Sequence, residues 1–348
     1  MAAELCERGV LDRASTPVGG ASAGSIIVAC LRSGLPFDRV QDACLSLAAD
    51  CRAKGTRTRL GPALESTLRE LLPEDAHVRC SEGGTAHIAV TRLFPAAEGD
   101  GPPARPLASR LFRGELLSAF DSRDDLIGAV LTSSHIPWYL DGRPTRTFRG
   151  GECVDGGLTQ FIPAIPGTSS AAASPWSSSS SSTSSTGSGS DSDREGGGGA
   201  GPAATRLVRV TCFPSRGMDA AVSRASSLRA RAGGGSGGGG AAAATAAAAL
   251  ESASAAEAAA GAPPPRFADL SPDRFGDWGV SMREAVAMAL EPAPEATLRA
   301  LLDKGREDAR LWMAVEEAGA GAASVGGIGG GGGGGGGHGR AARAMLPR

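Results

Sequence analysis

The sequence is poor in aromatic side chains, with one Tyr, four Trp and nine Phe in 348 residues. Large rings supply much of the area that a core buries, and the 41% apolar fraction is swollen by alanine runs such as 241–249, which bury little surface per residue. A core spanning the whole length is thereby excluded, and one ordered domain is expected. An excess of charge of one sign is missing too, since 35 Lys and Arg stand against 37 Asp and Glu. Without a basic excess the chain has no long-range attraction for nucleic acid. The basic trio Arg224, Arg229 and Arg231 lies in a Ser/Gly-rich stretch and reads as solvated linker.

The seven cysteines, at 6, 30, 44, 51, 80, 153 and 212, include no C-x-x-C pair, and their odd count argues against a complete disulfide framework. A reducing, intracellular setting is expected. No window of ~18 strongly apolar residues could span a bilayer, and residues 1–10, with Glu4, Glu7 and Arg8, lack the apolar run of a signal peptide. Any membrane contact is therefore expected to be peripheral.

What is present is organised unevenly. Residues 1–165 alternate apolar clusters with ordinary turn signals and read as globular. Residues 166–204 turn serine and glycine rich, with an unbroken run of serine at 177–182, and are expected to be a disordered insert. A strand is predicted within 205–215, where Leu207, Val208, Val210 and Cys212 are apolar, and it makes sense as an element returning to the sheet of the first segment. A second insert, rich in Gly and Ala, covers 216–265. In 266–318 two helices are predicted, one over 281–290 stopped by Pro292, the other from about Pro294 with the stripe Leu298, Leu301, Leu302, Trp312 and Val315 facing the core. The tail 319–348, with polyglycine at 329–337, is expected to be disordered.

Two motifs carry chemistry. Val18-Gly19 leads into Gly20-Ala21-Ser22-Ala23-Gly24 and then into the apolar, helix-length stretch 25–31. The order strand, G-x-S-x-G, helix is that of a nucleophile elbow, where the serine sits in a sharp strained turn and small neighbours such as Gly20 and Gly24 let strand and helix backbones pass closely. The helix start aims its amides and positive dipole end at the reacting centre, and the Ala23 N–H is placed to serve an oxyanion. A second match around Ser236 lies in polyglycine with neither strand nor helix beside it, so it has the letters without the mechanics. The alternative for Ser22 is a small-residue turn before a buried helix.

A nucleophilic serine needs a proton acceptor. In the usual order an acid and then a histidine follow it, but only His338, inside the glycine tail, follows the best acid. That acid is Asp155 in Val154-Asp155-Gly156-Gly157, the chain's only D-G-G, which could take the proton directly. Gly156 and Gly157 would permit a positive φ and a crowded backbone around the carboxylate. A polar turn with Asp155 in an Asx bond is the plainer reading of the same residues. His135, in Ser133-Ser134-His135-Ile136-Pro137, is a rival base.

Together these residues resemble the patatin-like phospholipases, whose hallmark is a Ser–Asp dyad drawn from G-x-S-x-G and D-G-[GA]. The likeness is closest to the branch of adipose triglyceride lipase and adiponutrin. It is carried also by Leu60-Gly61-Pro62, by Leu71-Leu72-Pro73-Glu74-Asp75, by Ile88-Ala89-Val90-Thr91-Arg92, by Phe120-Asp121-Ser122-Arg123-Asp124, and by Leu290-Glu291-Pro292 near the end. The resemblance implies an α/β fold, a three-layer α/β/α sandwich with long disordered inserts. It implies lipid acyl-ester hydrolysis on acylglycerols or phospholipids, with an acyl-enzyme on Ser22 and Asp155 as base and then acid. No metal or organic cofactor is implied, and cytoplasmic residence with peripheral contact to membrane or lipid droplet is. Two departures stand out. The family's first strand and glycine-rich oxyanion loop precede the nucleophile, whereas this chain begins at about the helix after them, so a catalytically impaired lipid-surface protein is the alternative. In addition, Thr159-Gln160 stands where the branch often has Asp-Asn.

Overall fold

The computed structural model describes residues 1–93, 111–166, 207–216, 267–276 and 278–325. The Ser/Gly and Gly/Ala inserts, Ser236, the Arg224 cluster and the polyglycine tail all lie outside these residues. The protein is of the α/β class. A mixed five-stranded sheet is formed by β1 (Val18–Gly20), β2 (Ala86–Leu93), β3 (Phe112–Leu117), β4 (Arg146–Phe148) and β5 (Gly151–Val154).

Among the described residues, the α-helices before β4 are α1 (Ala2–Glu7), α2 (Ala23–Arg32), α3 (Phe37–Lys54), α4 (Leu60–Leu71), α5 (Ala76–Ser81) and α6 (Arg123–Ser133). Strand β2 is buried along six successive residues, so both of its faces are covered. Ala86, Ile88 and Val90 point one way, into a core with Val28 and Ala29 of α2, Leu64 and Leu68 of α4, and Leu126, Ile127 and Val130 of α6. Helix α6 starts where sequence rules place a start: the Ser122 hydroxyl accepts the Asp125 N–H, and Asp124 and Asp125 complement the positive end. On the opposite face, Thr91 meets Thr159, and Gly19 lies against Ile165, so residues 156–166 form that cover.

The register of β2 decides where strand ends fall. Ile88 pairs with Gly20 of β1 and with Leu117 of β3, while Thr91 pairs with Gly114 of β3 and with Val154 of β5. A residue in a sheet has one neighbour on each edge, so β3 occupies one edge of β2, and β1 and β5 share the other. Strand β1 runs parallel to β2 and leaves it at Ile88, and β5 runs antiparallel and leaves it at Thr91. The two therefore point at each other along one edge, across a gap of about 10 Å at the usual rise per residue.

The C-terminal part is two helices, α7 (Met282–Leu290) and α8 (Glu295–Val325). The boundary of α7 follows the sequence signals, because Ser281 and Glu284 make a complete capping box. Three long-range bonds stitch the exit of α7 to the first segment. The Tyr139 hydroxyl donates to the Leu290 carbonyl, Thr56 Oγ1 donates to Glu291 Oε2 (2.8 Å), and Arg52 Nη1 donates to the Ala293 carbonyl (2.7 Å). Helix α8 packs on α1, where Leu5, Leu270, Ala309, Trp312 and Met313 form a second core and Arg310 grips Glu4 through both carboxylate oxygens, at 2.7 and 3.0 Å.

Two expectations change in detail. The predicted stripe of α8 is rotated: Trp312 is buried together with Ala309 and Met313, but Val315 is 57% exposed. The predicted returning strand does not join the sheet. Residues 207–216 instead pair with 267–270 through a single parallel bridge, Val210 to Leu270. The reason is local satisfaction of the backbone. Thr211 N–H donates to the Leu270 carbonyl (2.9 Å), Asp269 N–H to the Arg209 carbonyl (2.8 Å), and the Asp269 carboxylate takes the Arg209 N–H (2.8 Å).

Because β2 is central to both core and site, Ile88→Ala is expected to destabilise the protein by about 2–5 kcal/mol in denaturant unfolding. The exposed Val78→Ala should stay within about 0.5 kcal/mol of the parent in the same measurement.

Candidate active site

Ser22 and Asp155 occupy the gap between β1 and β5. The chain leaves β1 at Gly20 and enters α2 at Ala23, and the turn between them forces Ser22 to φ 53° and ψ −126°. A non-glycine residue held in that region stores about 1–3 kcal/mol of strain. Gly20 makes the turn sterically feasible: a Cβ there would lie 2.3 Å from the Gly24 carbonyl group. Gly24 is different. A Cβ on it would meet nothing within 4 Å, so the elbow does not need a glycine at that position for space.

The turn is held by hydrogen bonds. Ser25 Oγ and Ser25 N–H both donate to the Ser22 carbonyl, at 2.6 and 2.9 Å, and Gly24 N–H donates to the Ala21 carbonyl (2.9 Å). The Ser22 N–H donates to Ser133 Oγ at 3.0 Å, which anchors the elbow to the last turn of α6. Ala23, the first residue of α2, is exposed beside Ser22, where its amide belongs to the orphan donors of a helix start.

Asp155 follows β5 directly and is fixed from several sides. Its N–H donates to the His135 carbonyl (2.9 Å), and its own carbonyl accepts from Thr91 Oγ1 (2.9 Å), which is also bonded to Thr159 Oγ1 at 2.8 Å. Asp155 Oδ1 accepts the Gly157 N–H at 2.7 Å, so the Asx bond expected of a plain turn is present. The Ser22 side chain acts on the same carboxylate and favours its ionised form. Burial pushes the Asp155 carboxyl above the ordinary carboxylate range, against the smaller opposing pull of the Ser22 side chain and of the Gly157 N–H.

The two glycines of D-G-G serve close approach and not a positive φ, which neither adopts. A Cβ on Gly156 would fall 2.0 Å from the Ala89 carbonyl oxygen of β2, and one on Gly157 would fall 2.9 Å from Asp155 Oδ1. The first would push the loop off the sheet, and the second would crowd the carboxylate.

The rival base is placed differently. His135 is fully buried, neither ring nitrogen has a hydrogen-bond partner, and Asp141 stands 3.9 Å from Nδ1. Burial lowers its pKa and keeps the imidazole neutral. It contributes its backbone carbonyl to Asp155. Sequence reasoning singled out neither Ser133 nor Thr91, and met Thr159 only as a departure from the family pattern. Thr159 bonds Thr91 beneath the Asp155 loop, and Gly114 of β3 leaves room for it. No spacing rule marks such partners, because they come from separate strands and helices.

Among the described residues, no group of three or more His, Cys, Asp or Glu side chains could hold a metal ion, and no helix is long and apolar enough to cross a membrane. A groove of about 510 Å³ between α3 and α4, lined by Asp50, Thr58 and Arg59, contains neither Ser22 nor Asp155.

The patatin-like phospholipase family model matches residues 16–166. The chain is 26% identical to the 1-acylglycerol-3-phosphate O-acyltransferase Pnpla3 of Mus musculus over 162 residues, 45% of this chain and 35% of that protein. It is 26% identical to the patatin-like phospholipase domain-containing protein 4 of Homo sapiens over 186 residues, 51% of this chain and 65% of that protein. With the human patatin-like phospholipase domain-containing protein 2 it shares 27% identity over 172 residues, 47% of this chain and 30% of that protein. The chain thus spans between about a third and two thirds of the length of the relatives it matches. No solved structure gives a significant match.

The raised pKa of Asp155 has a consequence for stability. Its folded pKa lies above the unfolded one, so ionising it at neutral pH costs folding energy, and that cost vanishes as pH falls below the unfolded value. Asp155→Asn, which keeps an acceptor for Gly157, is expected to raise the thermal midpoint near neutral pH by the equivalent of about 1 kcal/mol. The gain should disappear when the melt is repeated below the ordinary carboxylate pKa.

Proposed function

From the match of the patatin-like phospholipase family model to residues 16–166, we propose that the protein is a lipid acyl-ester hydrolase in which Ser22 is the nucleophile and Asp155 the base. What supports this reading is that Ser22 and Asp155 follow two strands that face each other along one edge of β2, and that burial raises the basicity of the carboxyl. Asp155 takes the Ser22 proton as Oγ attacks the ester carbonyl carbon. The tetrahedral oxyanion accepts from the Ala23 N–H and benefits from the positive end of α2. Asp155 then gives the proton to the departing alcohol oxygen, leaving the acyl group on Ser22. Water enters, Asp155 removes its proton, and collapse of the second tetrahedral adduct releases the fatty acid and returns the proton to Ser22.

In this scheme Ser133 and Ser25 hold the elbow while Thr91, Thr159 and the His135 carbonyl hold the base. Gly20, Gly156 and Gly157 leave the space that both need, and Gly24 continues the helix start. The substrate class is an acylglycerol or phospholipid met at a lipid surface, with peripheral contact to membrane or lipid droplet. A second reading has one observation in its favour: a matched relative is named an acyltransferase. In that reading an alcohol takes the place of water in the second half of the cycle.

The test is hydrolysis of emulsified triacylglycerol and of phospholipid by the protein, with and without a lysophospholipid or monoacylglycerol acceptor, resolving free fatty acid from acylated acceptor. Ser22→Ala and Asp155→Asn are each expected to lower kcat/KM by at least about 10³-fold. Activity retained in Ser22→Ala would overturn the assignment. The acid limb of the kcat/KM profile should lie above the ordinary carboxylate range, because the base must be ionised and burial holds its pKa up.

A further inference from the structure

Five large apolar side chains stand in solvent on the segments that carry or adjoin Ser22 and Asp155. Trp138 is 58% exposed, Leu158 51%, Ile27 45%, Phe161 43% and Ile136 38%. They come from three separate segments, each tied to Ser22 or Asp155. Ile27 lies one helical turn beyond the exposed Ala23, on the same side of α2. Ile136 follows His135, whose carbonyl takes the Asp155 N–H, and Trp138 lies two residues further on. Leu158 ends the turn Gly156–Leu158 that begins at Asp155, with its N–H on the Asp155 carbonyl at 3.2 Å. Phe161, which contacts the rings of Phe213 and Phe267 at 5.9 Å between centroids, still has much of its surface free.

The same three segments are without charge. In a chain with 21% charged residues, 14–31 and 156–166 contain no Asp, Glu, Lys or Arg. Residues 126–140 contain none either, and the histidine among them, His135, is buried. The nearest charges along the Trp138 loop are Asp141 and Arg143, of opposite sign.

Trp138 adds a third observation. It is held at φ 62°, with its N–H on the Arg143 carbonyl at 2.8 Å. A bulky residue in the left-handed region is strained, and here the strain turns a ring toward solvent.

We propose that this rim is the face by which the protein docks on an uncharged or zwitterionic lipid surface, with Trp138 and Leu158 as its anchors and the dyad at its centre. The inference rests on the hydrolase reading for its purpose, but the docking can be measured without it. The absence of Lys and Arg selects the lipid, because attraction to an anionic headgroup layer needs a basic patch that these segments do not have. An indole and an isobutyl group entering the headgroup boundary gain apolar burial alone. The ester bonds that Ser22 would attack lie at that same depth.

The experiment is flotation of the full chain with vesicles of pure phosphatidylcholine, with vesicles containing phosphatidylserine, and with a triolein emulsion coated in phosphatidylcholine, each at low and high salt. Expected is binding to all three with an affinity that neither the anionic lipid nor salt changes. Trp138→Ser and Leu158→Ser should each weaken it about tenfold or more. Hydrolysis of a dissolved short-chain ester should stay at the parent's level in both variants, whereas hydrolysis of the triolein emulsion should fall. No binding by the parent, binding that requires phosphatidylserine and fades with salt, or variants that float like the parent would overturn the proposal. If the parent cleaves neither ester yet floats as described and loses flotation in the variants, the hydrolase reading fails and the docking face stands.

Discussion

One edge of strand β2 carries two strands end to end, and the candidate site depends on that arrangement. β1 arrives in parallel and β5 antiparallel, so their last residues face each other across Ala89 and Val90. The gap admits two side chains only if the backbone on either side lies close to the sheet and to α2. Gly20 and Gly156 meet that requirement, each at a position where a methyl group would strike a carbonyl. The burial of β2 on both faces then fixes the register, because a slip of one residue would turn Ile88 and Val90 away from their core.

The second constraint is electrostatic and consists of what is kept away. Among the described residues no cation is seen to shift the Asp155 carboxyl, which accepts the Gly157 N–H and is acted on by the Ser22 side chain. An arginine beside it would lower its pKa and weaken it as a base. In the proposed reaction the uncharged surroundings thus act twice: they raise the proton affinity of Asp155, and they leave around the site a surface that loses little on contact with lipid. The strain at Ser22 and the buried acid both detract from stability, which is common where a fold carries chemistry.

Much of this was legible in the sequence where the information is local. The strand, turn and helix around Ser22, the caps at Ser122 and Ser281, and the stop before Pro292 each follow from residues a few positions apart. The sequence could single out Ser22 and Asp155 because each lies in a short signature. It could not see that Thr91, Thr159, Ser133 and the His135 carbonyl hold them, since these partners meet only through sheet register and the end of α6. The glycines of D-G-G were selected for the right reason of crowding and the wrong one of positive φ, which cannot be separated before the neighbouring Ala89 carbonyl is in place. The segment 207–216 has strand-like letters, but its hydrogen bonds go to 267–270, a pairing that alternation in one strand does not reveal.

The pairing of β2 with its two edge partners also bears on when the site comes into being. Val18 meets Ala86, and Thr91 meets Val154, so each half of the dyad is set in place by residues dozens of positions away. Such contacts close late, after the entropy of the intervening chain has been overcome. A chain still emerging from synthesis, or one that has collapsed without its sheet, has a serine and an aspartate but no elbow strain and no buried acid. In the proposed reaction, reactivity is then a property of the finished sheet, and a partly folded copy is inert.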